Sequence, residues 1–170
     1  MTRAVLILGG NRSDSAELLA KALRLLESSA GRITRLSTVR TTRAWGFEAA
    51  DFVNRAVELE TGLTAVELLD AVQGVERELG RDRAAEAAER DRTGQRYASR
   101  PVDIDILFFG DEVVESERLT VPHREIERRM FVLEPLNEIV PELVHPVTGL
   151  TVSEMYERLM NDLQSCDPQI

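Results

Sequence analysis

Between Arg100 and Gly110 the chain reads RPVDIDILFFG. Val102, Ile104, Ile106, Leu107 and Phe108 suit a strand packed against a core, whereas aspartate is depleted in strands. Asp103 and Asp105 nevertheless sit in the run, two residues apart. Strand side chains alternate between faces, so both carboxylates share one face. On a partly buried face two such charges repel, and either one is driven protonated or a cation relieves them. Asp-x-Asp on a strand presents hard oxygen ligands, and Mg²⁺ characteristically takes one or two carboxylates together with phosphate oxygens. A solvated edge strand is the plainer reading, and the flanking ILFF argues against it. The pair is a candidate metal site.

Arginines surround this strand in sequence. Arg81 and Arg83 follow a helix end, Arg96 and Arg100 precede the aspartates, and Arg118 and Arg129 come after them. The guanidinium fork matches phosphate oxygens. Carboxylates that hold metal ions, with arginines for the remaining charge, are what a polyphosphate site needs. Lys21 is the only lysine, so arginine is the default cation here and only clusters carry weight. Arg90 and Arg92 read as a solvated loop. His123, behind Pro122 and between Arg118 and Arg129, is a further candidate, and His145 is assigned to a turn. Gln73 and Glu76 share a helix face and read, on pattern alone, as members of an i,i+4 pair or as surface positions. Gly9-Gly10-Asn11 reads as a tight turn rather than a phosphate loop, because Arg12 and Ser13 follow where a Walker lysine is needed. Trp45, Phe52, Tyr97 and Phe131 border the charged region, where a flat heterocycle can stack.

The remaining pattern bounds the fold. A strand at Ala4–Leu8 precedes a helix opened by Asp14 and Glu17 at capping-box spacing. Ile33–Thr41 and Phe52–Glu60 read as strands joined by TTRAWGFEAAD. A second helix runs from a Thr64/Glu67 capping box to Gly80, with Leu68, Leu69, Val72, Val75 and Leu79 inward. Arg81–Arg100 lacks an apolar face and reads as a long, flexible loop. After the aspartate strand come a short EVV strand, a segment opening at Pro122, and a last helix from about Val152 capped by Thr151 and Glu154. The order β-α-β-β-α-β predicts an α+β, ferredoxin-like antiparallel sheet with helices packed on it and a C-terminal extension. The 170 residues suit one domain. A net charge of -9 argues against nucleic acid or an anionic membrane as partner. The single cysteine, Cys166, forms no internal disulfide, and the apolar run after Arg3 is too short for a signal peptide or membrane span. A cytoplasmic protein is expected.

The motifs together resemble the 6-hydroxymethyl-7,8-dihydropterin pyrophosphokinase family of folate biosynthesis. The resemblance runs from LILGGN to PELVHP. It is most specific in RPVDIDILFFGDEVVESERLTVPHREIERRMFVLEPL, with further matches in DFVNRAVELET and VERELGR. It implies a single pyrophosphokinase domain over 1–170, expected to act as a monomer, with a flexible catalytic loop at about 81–100. ATP and 6-hydroxymethyl-7,8-dihydropterin are the substrates it implies, with pyrophosphate transferred and AMP released. Asp103 and Asp105 match ligands of two Mg²⁺ ions. Arg81, Arg83, Arg96, Arg100, Arg118, His123 and Arg129 match positions that contact the nucleotide or assist transfer. Gln73 and Glu76 match nucleotide-site positions, against their pattern-only reading. Phe52 and Phe131 match a ring sandwich, Asn54 a hydrogen-bonding partner of the pyrimidine edge, and Thr42, Ala44 and Trp45 the pocket loop, with Tyr97 as a lid aromatic. The sequence departs from the family pattern in a longer 84–95 loop, and in Tyr97, Ala44 and Arg124, where tryptophan, proline and an aromatic are common. A palm-type nucleotidyltransferase or cyclase would also use Asp103, Asp105 and the arginines, but not Asn54 with two phenylalanines. A regulatory domain of the same fold leaves the aspartates unexplained.

Overall fold

The computed structural model describes residues 1–11, 14–42, 52–80 and 102–165. Strand β1, Thr2–Gly10, lies inside an antiparallel sheet, with β4, Phe52–Thr61, on one side and β5, Asp103–Phe109, on the other. Strand β2, Arg32–Leu36, and the short β3, Arg40–Thr42, both pair with the far side of β4. The order is β2-β4-β1-β5, with β3 beside β4. Ala4, Leu6 and Leu8 of β1 enter one apolar cluster, and Val5 and Ile7 enter another. The AVLIL run is continuous because both faces of this strand are covered.

The first face carries α1, Ser15–Ser29, and α2, Ala65–Glu78. The Thr64/Glu67 capping box forms in both directions, at 2.9 and 3.2 Å, and Gly80 takes φ +94 beyond the helix end. The box expected at Asp14 and Glu17 does not form. Asp14 occupies the N-cap of α1 at ψ 11, whereas Thr64 is extended at ψ 168, and side-chain capping needs the extended conformation.

The expected single strand from Ile33 to Thr41 is two strands. Ser37 lies between them, buried, with its hydroxyl accepting the Ala56 N–H at 2.9 Å. A side chain thus stands where a ladder bond would be, and the edge breaks. Gly9 and Gly10, expected in a turn, are paired strand residues opposite Asn54 and Val53.

The second face carries α3, Met130–Ile139, and α4, Val152–Ser165, together with a 3-10 turn at Ile126–Arg128. Val132, Leu133, Leu136 and Ile139 of α3 pack with Val152 and Met155 of α4. The Thr151/Glu154 cap forms as expected, at 3.0 and 3.1 Å. Nothing in the sequence pattern announced α3. Pro135 stands inside it, and an interior proline lacks the N–H that would bond the carbonyl four residues earlier.

Ion pairs fasten α3 to the sheet. Glu58 of β4 is buried and is bonded by the Arg3 guanidinium and, at 2.7 Å, by the Thr34 hydroxyl. Arg35 donates to the Ile139 carbonyl at 2.7 Å, and Arg3 and Arg35 both reach Glu142. Nearer the other end of α3, Arg40 bonds Glu134 and Glu138, each at 3.1 Å. Thr38 donates to Glu138 from both its N–H and its hydroxyl. Burial opposes ionisation of Glu138, but these bonds outweigh it and hold the carboxyl below its usual range. Among the described residues no helix is long and apolar enough to cross a membrane.

Gly31 joins α1 to β2 where the chain crosses β4. A methyl group there would stand 2.2 Å from the Glu60 carbonyl oxygen, which is backbone and cannot rotate aside. Gly31→Ala is expected to destabilise the protein by about 3 kcal/mol, read as a lowered urea midpoint at unchanged slope.

Candidate active site

Register places the candidate residues in rows across the sheet. Arg40 on β3 faces Asn54 on β4, Asn54 faces Gly9 on β1, and Gly9 faces Asp103 on β5. One step along, Ala56, Ile7 and Asp105 form a second row. Ile7 and Ala56 belong to the cluster under α3 and α4, while Ile104 and Ile106 belong to the opposite one. Asp103 and Asp105 therefore share the α3 side of the sheet, as their spacing requires, and Asn54 shares it with them.

Among the described residues strand β5 is an edge, paired only with β1. Its outward Ile104 N–H, midway between the two aspartates, donates to Glu76 Oε2 at 3.0 Å. Glu76 is 2% exposed, so it is no surface position. The cleft along this edge, about 400 Å³, is lined by Gln73, Glu76, Asp105, Arg118 and His123, among others. Arg118 crosses its rim, donating to Asp70 at 2.6 Å and, more weakly, to Gln73 at 3.5 Å.

His123 accepts the Glu125 N–H at Nδ1, 3.1 Å. The neutral ring therefore carries its proton on Nε2 and can donate from there. Burial, helped by the positive charge of Arg129, holds its pKa below the ordinary value, against the pull of Glu125 and Asp103. His145 belongs to a turn, as expected. Its Nδ1 accepts the N–H groups of Val147 and Thr148, each at 3.2 Å, and its ring stands edge-on to Phe108.

Phe52 opens β4 and pairs with Thr42, and Phe131 lies in the first turn of α3. Contacts along α3 order Ile139, Glu138 and Glu134 against Arg35, Thr38 and Arg40. Its first turn is thereby aimed toward the Phe52 end of β4. Phe52 and Phe131 are 40% and 38% exposed, unusual for large aromatics in a core. Arg129 stacks over Phe131 at 5.6 Å. Arg81, Arg83, Arg96, Arg100, Ala44, Trp45 and Tyr97 lie outside the described residues.

Residues 5–141 match the family model described as 7,8-dihydro-6-hydroxymethylpterin-pyrophosphokinase (HPPK). The chain belongs to that family. Relatives named 2-amino-4-hydroxy-6-hydroxymethyldihydropteridine pyrophosphokinase occur in Methylorubrum extorquens, 40% identical over 94% of each chain, and in Bacillus subtilis, 35% identical over 96% of this chain and 93% of the relative. The one in Synechocystis is 34% identical over 92% of this chain and 75% of the relative. The fold also matches Plasmodium falciparum HPPK-DHPS solved with pterin and p-hydroxybenzoate, at a TM-score of 0.75 and 17% identity. That match covers 97% of this chain, and the chain spans 44% of that one. The protein is an HPPK-family enzyme, an ATP-dependent pyrophosphokinase of folate biosynthesis.

Two residues that register sets in the Asp103–Asn54 row are not marked by sequence pattern. In sequence Gly9 reads as part of a turn, and Arg40 carries no motif of its own. The signal for both is register, which appears only once β3, β4 and β1 are aligned.

A depressed His123 pKa sets a sign for pH dependence. The unfolded chain takes up the proton first as pH falls below about 6.5, so stability drops from there toward the lower folded value. His145, also held low by burial, adds to the same slope. His123→Asn keeps an acceptor for the Glu125 N–H and should remove part of the stability lost as pH falls below about 6.5. Urea midpoints across that range measure it, and an unchanged slope would refute the assignment.

Proposed function

We propose that the chain transfers the pyrophosphoryl group of ATP to the hydroxymethyl oxygen of 6-hydroxymethyl-7,8-dihydropterin, releasing AMP, along the face that holds Asp103 and Asp105. The observation that carries this reading is the continuity of two unlike surfaces. A polar cleft on the β5 edge, with Gln73, Glu76, Asp105, Arg118 and His123, adjoins the Asp103–Gly9–Asn54 row that leads toward two exposed phenylalanines. A triphosphate suits the first surface, and a flat heterocycle with a polar edge suits the second.

The roles follow from chemistry. Arg118 and Gln73 hold the nucleotide at the rim, Arg118 exchanging Asp70 for it. His123 donates from Nε2 to a phosphate oxygen, and Arg129 adds positive charge nearby. Glu76 lines the nucleotide cleft beside Gln73. It fixes β5 through Ile104, and so sets the two aspartates. Phe52 and Phe131 sandwich the ring, and Asn54 reads its pyrimidine edge through a carboxamide that both donates and accepts. Thr42, Ala44 and Trp45 complete the pocket wall, with Tyr97 as lid. Arg81, Arg83, Arg96 and Arg100 counter the charge of the transferring group.

Asp103 and Asp105 fit Mg²⁺. They supply two hard carboxylates, and phosphate oxygens and water would complete the shell, as Mg²⁺ prefers. Two bound ions would supply phosphate neutralisation and polarisation of the hydroxymethyl oxygen. Strand order β2-β4-β1-β5, with α1 and α2 on one face, supports the ferredoxin-like assignment. We read residues 1–170 as one pyrophosphokinase domain, with a catalytic loop near 81–100, acting as a monomer in the cytoplasm.

Phosphorus NMR of the protein with Mg-ATP and the pterin should show AMP and the pterin diphosphate. ADP, or no turnover by folded protein, rejects the reaction. Asp103→Asn and Asp105→Asn should each cost about 10²–10³-fold in kcat or more while remaining folded.

A further inference from the structure

We infer that Gly9 is a positioning residue for pterin recognition: its lack of a side chain leaves the place that the Asn54 carboxamide occupies. This rests on the pterin reading above. A Cβ built at Gly9 would stand 2.7 Å from Asn54 Oδ1, against 3.4 Å from the Val53 carbonyl oxygen and 3.7 Å from Asn54 Cγ. The first distance is far inside contact, and the others are close to ordinary. Backbone conformation does not call for this glycine, since the positive-φ glycines among the described residues are Gly80, Gly110 and Gly149. Space does.

The consequence differs from that at Gly31. There a methyl meets backbone. At Gly9 it meets the end of a side chain, so the fold yields by turning Asn54. Asn54 is 7% exposed and faces Gly9 in register, so its carboxamide lies over β1 between the phenylalanine end and Asp103. Turned aside, it no longer meets the edge of the ring. No Asp103 atom is among the three nearest to the added methyl. The nucleotide cleft, along the far edge of β5, stays as it is. Gly9→Ala is thus a lesion of ring recognition alone.

A double-mutant cycle tests this, because a residue acting through another loses its effect when the other is removed. Wild type, Gly9→Ala, Asn54→Ala and the double variant are compared in kcat/KM for the pterin at saturating Mg-ATP, and in Kd for a non-hydrolysable ATP analogue with Mg²⁺. Gly9→Ala is expected to lower the pterin kcat/KM about tenfold or more, leave the analogue Kd within about twofold, and change kcat/KM less than about twofold in the Asn54→Ala background. Equal losses in both backgrounds would show that the methyl blocks the ring directly, and would overturn the inference. So would an unfolded Gly9→Ala protein, a parallel loss of nucleotide affinity, or a variant indistinguishable from wild type. A wild-type protein that does not turn over the pterin would overturn the functional reading and this inference together.

Discussion

Strand parity is the constraint on which the site depends. β1, β4 and β5 are buried on both faces, so each residue has a fixed side, and a slip of one position would turn an aspartate into the opposite core. Parity puts Asp103, Asp105, Gly9 and Asn54 on the α3 side, and their hydrophobic neighbours lock it. Ile104 and Ile106 are held in the α1–α2 cluster. The apolar residues of the strand are thus the reason the polar ones point where they do.

An edge position makes the arrangement usable. A central strand would have both of its hydrogen-bonding sides closed. Among the described residues β5 has one side without a strand partner, and α2 reaches it with Glu76, which takes the Ile104 N–H. Burying a carboxylate is expensive. Here it satisfies the Ile104 N–H, the donor at the residue between Asp103 and Asp105.

α3 sets the second half of the site from the other side. Its interior buries four apolar side chains, while its flank is tied down by Arg35, Thr38 and Arg40. These ties fix how it crosses β4, and hence where Phe131 lies relative to Phe52. Hydrophobic packing alone tolerates sliding, whereas directional bonds at three points along the helix do not. The exposure of both phenylalanines is then a product of the scaffold, held at the rim by elements that are themselves well buried.

Much of this was legible in the chain. The aspartate pair, the strand that holds it, the second helix with its Thr64/Glu67 cap and the capped final helix follow from alternation, periodicity and capping chemistry, all local. The motif order also disclosed the family. Pattern alone, without that resemblance, misread Glu76, Gly9-Gly10 and α3. Glu76 looks like a surface residue until β5 is laid beside its helix, Gly9 looks like a turn until Asn54 is laid across from it, and Pro135 hides a helix that tertiary packing sustains. The sequence by itself determined which side chains carry charge and which share a face, because those depend on neighbours two to four residues away. Only the tertiary structure decided which of them meet, because Arg40, Asn54, Gly9 and Asp103 come from four separate strands, and their row exists only through pairing between distant segments.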